Sequence, residues 1–460
     1  MAQTKIEGLS REELIAIILL QASQMEAMRK EMEVLRMKLE KLQKPPTNSG
    51  NSSQPPSRDQ KSGKLFNRPK RKHGQAYGHE KQERPFVSEP DHVVELKAKS
   101  CHTCDADLSS ETGALLDVNQ ITELPSAKAE VIEIRQYAVT CQQCGDVEIM
   151  SAPEGLEMNR RFGNRLEATV IYYRQEQHMS YERTETTMSV LHGVEISQGG
   201  IDQIMQRAGQ QAQQAAEEIK KTIQSSKVVN SDETGARVDG QKAWEWVFCT
   251  VSAIFHVIRA SRGADVIQEV MGEHQVEVWG SDCFTSQLKA LALLWQICLA
   301  HQLRNLQAVV ELYPGLFWAK AMQALFRTAI HLRHHRELFS VGEYQTEILR
   351  IERLCDRLLA RNLAQPEARK LQKRYLKHRQ HLFVFLYRDD VSPTNNVSER
   401  ALRPSVIHRK VTGGFRSQWG ANAYAALASV IDTAAINGLN AFEALQALLG
   451  KPSLPLPVIP

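Results

Sequence analysis

The chain has 460 residues, of which 42% are hydrophobic and 24% charged, and its formal net charge is +4. These values exclude a wholly disordered or collagen-like chain, and no apolar run reaches the roughly 18 residues that a membrane span needs. At roughly 150 residues per domain, the length predicts about three folding units. Because no secretory signal is recognisable, we expect a cytoplasmic protein without a membrane partner.

Residues 1–44 are predicted to form a coiled-coil arm. Ser10 and Glu13 have the spacing of a helix-capping box. Behind them, apolar residues repeat with 4–3 spacing over about four heptads, broken once by a glutamine. These positions are Leu14, Ile18, Gln21, Met25, Met28, Met32, Leu35, Leu39 and Leu42. The pattern predicts a homodimer or higher oligomer; the alternative is a helix that packs on its own globular body.

Residues 45–90 are predicted to be a disordered basic linker, since they are rich in Pro, Asn, Ser, Gly, Lys and Arg and lack an apolar period. The segment from Arg58 to Arg84 contains nine Lys or Arg residues and three acidic residues. Such tracts favour nucleic acid through counterion release. A solvated linker with a basic bias is the alternative.

Two Cys-x-x-Cys pairs define a module over residues 91–155: Cys101 with Cys104, and Cys141 with Cys144. Two intervening residues let both thiolates reach one ion, and two such turns complete a tetrahedral structural Zn²⁺ site. The segment 129–140 alternates like a strand. The pattern predicts a zinc-ribbon-like module, with a redox dithiol as the alternative.

The other four of the eight cysteines are scattered, which suits a reduced compartment better than a disulfide framework. We expect them to be buried thiols: Cys249, Cys283, Cys298 and Cys355.

Residues 156–226 are predicted to be helical. Helical patterns cover 162–177, 180–191 and 199–223, and Ser197 is the expected N-cap of the last one. A glycine-containing turn separates the second and third helices, which resembles a helix-turn-helix. DNA contact and plain helical packing both remain open for this segment.

Residues 227–310 are predicted to form a ribonuclease-H-like α/β core. We expect three consecutive strands, then a fourth, a helix over 284–294 and a fifth strand at 296–299. In that fold the first and fourth strands are neighbours. The first is expected to end at Asp232 and the fourth at Asp282, so the two acids converge.

Paired acids at one sheet edge are typical of two-metal sites, in which ions about 4 Å apart need bridging and terminal carboxylates. Mg²⁺ (or Mn²⁺) prefers such hard oxygen ligands. A third acid, Glu399, lies at the start of a predicted helix within residues 391–460, the C-terminal core helices. For any one of these acids, a turn or cap role is the alternative.

Residues 311–390 are predicted to be a helical insertion with two basic clusters. These clusters either contact DNA phosphates or are solvated helix faces. The first holds Arg333, His334, His335 and Arg336, and the second Lys370, Lys373, Arg374, Lys377 and Arg379.

These features resemble bacterial DDE transposases of the insertion-sequence-66 family nearly from end to end. The most specific stretches are 231–234 (SDET), 281–284 (SDCF), 298–304 (CLAHQLR) and 395–404 (NNVSERALRP). The resemblance implies that Asp232, Asp282 and Glu399 are the catalytic triad. Thr394 departs from the family pattern, which often has Asp there.

The resemblance also implies the activity: cleavage at transposon ends and strand transfer into target DNA by a two-metal mechanism. The implied partners are both DNAs and accessory proteins of the same element, in the bacterial cytoplasm at the nucleoid. The alternative is a catalytically silent DNA-binding regulator derived from a transposase.

His301 belongs to the family signature between the second Asp and the Glu. Since His301 and Arg304 share a helix face at i and i+3, the basic pair is expected to hold the scissile phosphate. A capped helix start around a core Cys298 is the alternative. We also expect Arg400 and Arg403, in the Glu399 motif, to contact DNA phosphates.

Overall fold

The structure is a computed structural model that describes residues 25–26, 28–29, 32–33, 85–124, 128–152 and 160–450. The coiled-coil and linker predictions therefore lie largely outside the described residues. The few described arm residues are helical, and Met25, Met28 and Met32 are exposed there. The chain divides into two compact units, one of residues 61–130 and one of residues 1–60 with 131–460.

The larger unit holds a two-stranded sheet, a five-stranded sheet and twelve α-helices among its described residues. The strands are β1 (Ala138–Thr140), β2 (Val147–Ile149), β3 (Val228–Val238), β4 (Gln241–Cys249), β5 (Ile254–Arg259), β6 (Val276–Ser281) and β7 (Ala292–Ile297). The helices are α1 (Asn164–Gln175), α2 (Tyr181–His192), α3 (Gln198–Gln224), α4 (Ala264–Met271), α5 (Leu299–Leu312), α6 (Phe317–His334), α7 (Val341–Leu359), α8 (Pro366–Lys377), α9 (Val384–Tyr387), α10 (Asn396–Thr412), α11 (Gln418–Ile436) and α12 (Ala441–Leu448).

The five-stranded sheet is mixed, with the order β5-β4-β3-β6-β7. Strands β3, β4 and β5 are antiparallel, whereas β6 runs parallel to both β3 and β7. The first and fourth strands of this sheet are therefore neighbours, as the sequence predicted. A mixed sheet of this order, flanked by helices, is compatible with a ribonuclease-H-like core.

Strand β3 is longer than predicted and does not end at Asp232. It continues to Val238, where the two-residue turn Asp239-Gly240 leads into β4. Both turn residues have positive φ, 49° and 70°, the conformation of the tight hairpin turns that fit the twist of paired strands. The antiparallel hairpin thus extends the strand beyond the acid.

The prediction of a helix over residues 284–294 is wrong. That segment holds only a short 3₁₀ turn, Gln287–Lys289, and then strand β7, which begins at Ala292. The buried Gln287 side chain accepts a hydrogen bond from Trp279 Nε1 at 3.0 Å and donates one to Glu233 at 2.7 Å. These bonds tie the segment to the sheet. The helix α4 instead precedes β6.

Helices α1, α3, α11 and α12 share one hydrophobic core with the five-stranded sheet, whereas α5 to α9 surround a second core. Helix α3 lies close to α11 at Gly209, where an added Cβ would be 2.5 Å from Ala423 Cβ. The predicted N-cap Ser197 accepts a hydrogen bond from Gly200 N at 3.2 Å. No helix in the described part of the chain is long and apolar enough to cross a membrane.

The three predicted buried thiols Cys249, Cys298 and Cys355 are buried. The prediction is wrong for Cys283, which is half-buried, because it lies in the loop that follows β6 rather than inside an element.

Candidate active site

Asp232 on β3 and Asp282 directly after β6 occupy corresponding places along these parallel neighbours. The last paired residues are Asn230 and Gly280, and each acid lies two residues beyond its member of that pair. Gly280 lies against the Asn230 side chain here: an added Cβ would be 2.1 Å from Asn230 Oδ1, so that side chain would have to move. The strand pairing therefore brings the two carboxylates together.

Asp232 is the most strongly perturbed acid of this group. Burial raises its pKa well above the usual range, and the nearby carboxylates of Asp282, Glu233 and Glu399 raise it further. Among the described residues, the contact that lowers this pKa is the Glu233 backbone N–H, which donates to Asp232 Oδ1 at 2.9 Å. Within the described ranges no Lys, Arg or His forms an ion pair with Asp232 or Asp282. The two aspartates thus place negative charge side by side without an ion-paired cation in the described part of the chain.

Glu399 reaches this site from the first turn of α10, whose start is fixed by Asn395. The buried Asn395 side chain donates from Nδ2 to the Ser231 carbonyl at 2.8 Å, beside Asp232. Its backbone N–H donates to Cys298 Sγ at 3.1 Å, and its Oδ1 accepts from Ser398. Asn395 was not among the residues predicted for the site; its place directly before a helix start was the available signal.

His301 and Arg304 lie on one face of α5, as predicted, but they contact Glu399. Arg304 Nη2 is 3.3 Å from Glu399 Oε1 and 3.4 Å from Oε2. His301 Nδ1 is 3.6 Å from Oε1, and burial, followed by Arg304, lowers the His301 pKa. With Cys298, His301 and Glu399 form a group of three side chains spaced closely enough to hold a metal ion.

Glu233, by contrast, is neutralised by its surroundings. Arg262 forms an ion pair with it at 2.8 Å, and Gln287 donates a hydrogen bond at 2.7 Å. The Arg262 guanidinium also lies over the rings of Phe284 and Trp244, at 3.8 and 4.4 Å. Since Phe284 N donates to Asp282 Oδ1 at 2.7 Å, this network braces the loop that carries Asp282.

The two basic clusters of the insertion differ in the structure. Arg333 and Arg336 are both paired with Asp389, at 3.3 and 3.5 Å. In the second cluster, Arg379 is paired with Glu352 and Asp356. The remaining members form no ion pair with a described acid and lie on α8: Lys370, Lys373, Arg374 and Lys377.

One of the unpaired cations of α8, Arg374, lies near the acidic site. Arg374 lowers the pKa of the Cys283 thiol, directly after Asp282, although burial raises that pKa more strongly. Arg400 and Arg403 are exposed on α10, and neither is paired with a described acid. They are therefore accessible to a ligand.

Each Cys-x-x-Cys pair forms a tight turn of its own. In the first, Cys101 N donates to the Ala106 carbonyl at 2.9 Å; in the second, Cys141 N donates to the Asp146 carbonyl at 2.7 Å. Backbone N–H groups of Thr103 and Cys104 lower the Cys101 pKa, and those of Cys144 and Gln143 lower the Cys141 pKa. Both turns thus favour the thiolate, the form that binds metal.

The mixed sheet and the acids gathered on β3, β6 and α10 are compatible with the ribonuclease-H-like class of nucleic-acid enzymes. A family model described as "Transposase IS66 family" matches residues 159–423. The chain belongs to the IS66 transposase family. The comparison with curated proteins found no match.

Family membership supports a transposase-related function and implies DNA binding. The matched range contains the whole five-stranded sheet, the three acids and the insertion. The two cysteine turns lie outside it.

Proposed function

We propose that the chain is an active DDE transposase that cleaves DNA at transposon ends and transfers the freed 3′ ends into target DNA. The observation that carries this proposal is the gathering of Asp232, Asp282 and Glu399. Each of the other two carboxylates raises the pKa of Asp232, and such perturbed acids are typical of functional sites.

The donor set fits Mg²⁺ or Mn²⁺. Carboxylate oxygens are the ligands that these hard cations prefer, and neither aspartate has a cationic partner among the described residues. Asp232 and Asp282 would hold the first ion, and Glu399 would complete the second site. When bound, the two ions activate the attacking hydroxyl and stabilise the leaving oxygen.

The protein's own residues then have distinct roles. Asn395 and the Arg262–Glu233 network position the acids. His301 and Arg304 would bind the scissile phosphate, since a guanidinium matches phosphate geometry. Because water and then the 3′ hydroxyl are the nucleophiles, no covalent link between protein and DNA is needed.

The unpaired face of α8 is the proposed track for the DNA that leaves the acidic site. Its four cations have no ion-pair partner in the described part of the chain. One of them, Arg374, is close enough to lower the pKa of the Cys283 thiol, next to Asp282. Arg400 and Arg403 would add phosphate contacts from α10. Phosphate contacts of this kind position DNA without selecting its sequence.

A structural Zn²⁺ is proposed for the four cysteines Cys101, Cys104, Cys141 and Cys144. Cysteine thiolates in Cys-x-x-Cys turns are the usual ligands of such sites, and the backbone of both turns favours the thiolate. We expect about one zinc per chain by elemental analysis. Loss of this zinc in Cys104→Ser but not in Cys355→Ser is the expected result; equal zinc in both variants contradicts the site.

Cleavage of a duplex that carries the element's own end tests the main proposal. We expect Mg²⁺-dependent cleavage by the wild type, and a loss of roughly a hundredfold or more in Asp232→Asn, Asp282→Asn and Glu399→Gln. DNA binding should persist in all three. Asp239→Asn, in the exposed hairpin turn of the same sheet, is the matched control and should cleave normally.

Cleavage that survives the loss of each acid would refute the catalytic assignment. Specific DNA binding by the wild type without cleavage would instead favour the silent regulator, or a requirement for an accessory protein. A test with target DNA then separates strand transfer from simple hydrolysis.

A further inference from the structure

Glu399 is engaged by a cation of the protein itself. Both of its carboxylate oxygens face Arg304 Nη2, at 3.3 and 3.4 Å. Arg304 and Glu399 expose only about a quarter of their side chains, 27% and 26%. The ion pair is therefore partly shielded from water, which makes it stronger than an exposed pair.

This pairing conflicts with metal binding at the same carboxylate. A divalent ion would take the oxygens that Arg304 contacts, and it would repel the guanidinium at close range. Asp232 and Asp282 have no such competitor among the described residues. Of the three acids, only Glu399 must exchange its partner before it can serve as a ligand.

The position of Arg304 supplies an alternative partner. Asp282 and Glu399 both act electrostatically on the neighbouring His301, so the basic pair faces the space between the acids. A DNA phosphate in that space would be a bidentate partner for the guanidinium. His301 Nδ1 is buried and has no hydrogen-bond partner in the described part of the chain, which leaves it free to donate to the same phosphate.

We propose that Arg304 is a latch that couples metal loading to DNA: without DNA it occupies Glu399, and with DNA it transfers to the scissile phosphate and releases Glu399 to the second metal site. This inference rests on the proposed function. It assigns Arg304 a positioning role, acting through Glu399, in addition to its phosphate contact. The latch would keep the metal site incomplete until a substrate is present.

Mn²⁺ binding to the full chain, followed by the EPR signal of free Mn²⁺, tests the latch without measuring activity. In the wild type, the Mn²⁺ site of lowest affinity should bind about tenfold more tightly once the end-bearing duplex is added. A titration of the duplex without protein corrects for Mn²⁺ that binds to the DNA itself. Arg304→Gln should bind Mn²⁺ without DNA as tightly as the wild type does with DNA. Arg353→Gln, an exposed arginine on α7, should match the wild type.

If folded Arg304→Gln, without DNA, binds Mn²⁺ with the same affinity as the DNA-free wild type, the latch is overturned. A second measurement uses the wild type alone, with an uncharged methylphosphonate at the scissile position of the duplex. Because this group cannot attract Arg304, the Mn²⁺ affinity should stay near its DNA-free value; full tightening also overturns the latch. If Asp232→Asn and Glu399→Gln leave Mn²⁺ binding unchanged, the proposed catalytic site fails instead.

Discussion

At the scale of single residues, the core contains a charged group that the catalytic proposal does not use. His256 on β5 is fully buried between two acids: its Nδ1 is 3.0 Å from Glu245 Oε1, and its Nε2 is 2.9 Å from Asp432 Oδ2. Burial alone would lower its pKa, but the hydrogen bonds to Asp432 and Glu245 outweigh burial and raise the pKa to about 9.

This network also supports the helix that carries Glu399. Ser405 of α10 donates to Glu245 Oε1 at 2.6 Å, so the carboxylate that contacts His256 also holds α10 against β4. A buried, hydrogen-bonded charge of this kind is strongly destabilising when one partner is removed. His256 is therefore a structural residue whose loss affects the whole core.

The raised pKa of His256 predicts a pH-dependent stability. The folded protein retains this proton up to about pH 9, whereas an unfolded histidine releases it near pH 6.5. The stabilisation is thus fully present below about pH 6.5 and is lost as the pH rises to about 9, by roughly 3 kcal/mol in total. Urea unfolding at pH 6, 7.5 and 9 measures this slope.

His256→Gln should remove most of this pH dependence and lower the stability at pH 6. His274→Gln is the matched control, since His274 Nδ1 contacts only the Met271 carbonyl in the structure. A wild-type slope in His256→Gln would show that the network is not protonated as proposed.

At the scale of elements, the packing distinguishes helices of similar composition. Arg333 on α6 and Arg379, two residues after α8, are paired with acids. The face of α8 that carries Lys370, Lys373 and Lys377 has no ion pair with a described acid. A run of basic residues on a helix is equally consistent with a solvated face and a DNA contact. Only the neighbouring acids show which charges remain available.

The α8 face predicts a specific effect on DNA binding. A triple variant should bind duplexes of any sequence more weakly, and its affinity should depend less on salt; it carries Lys370→Gln, Lys373→Gln and Lys377→Gln. Each lost phosphate contact reduces the slope of log K against log salt by about 0.9. Fluorescence anisotropy between 50 and 200 mM salt measures both effects.

The matched control replaces three arginines of α7, Arg350, Arg353 and Arg357, by glutamine. That change removes the same charge from a helix of the same insertion, and the slope should stay at its wild-type value. Equal losses in both triple variants would mean that net charge, rather than the α8 face, determines binding.

At the scale of the whole molecule, we propose that the arm determines the oligomeric state. Of the predicted heptad positions, Met25, Met28 and Met32 are described, and they are helical and exposed. Exposed apolar residues at a and d positions are the expected seam of a coiled coil. The arm is therefore proposed to join two or more chains, so that a single assembly can hold both transposon ends.

Deleting residues 1–44 should convert the protein to a monomer, as measured by light scattering coupled to size exclusion. The deletion should not change the thermal unfolding of the core, because none of the described arm residues belongs to the two hydrophobic cores that contain the sheet and the insertion. A deletion variant that still forms the wild-type oligomer would place the interface elsewhere.

The sequence by itself determined much of the local structure. Apolar periodicity located α1 to α3 to within a few residues and predicted four strands in the observed order, although β3 runs six residues further than expected. The reason is that side-chain burial has a fixed period in each element. The acids of β3 and β6 could be paired because a fold with this strand order makes those strands neighbours. The connection after Asp282 could not be predicted, since Gln287 is held not only by the nearby Trp279 but also by Glu233, 54 residues away.

Only the tertiary structure decided which charges remain free. The sequence predicted Arg304 as a phosphate ligand, but it could not show that Glu399, 95 residues away, occupies the same guanidinium. It also could not separate the paired arginines of the insertion from the unpaired cations of α8. The physical reason is that electrostatic partners act over a few ångströms in space, and folding sets those distances without regard to separation along the chain.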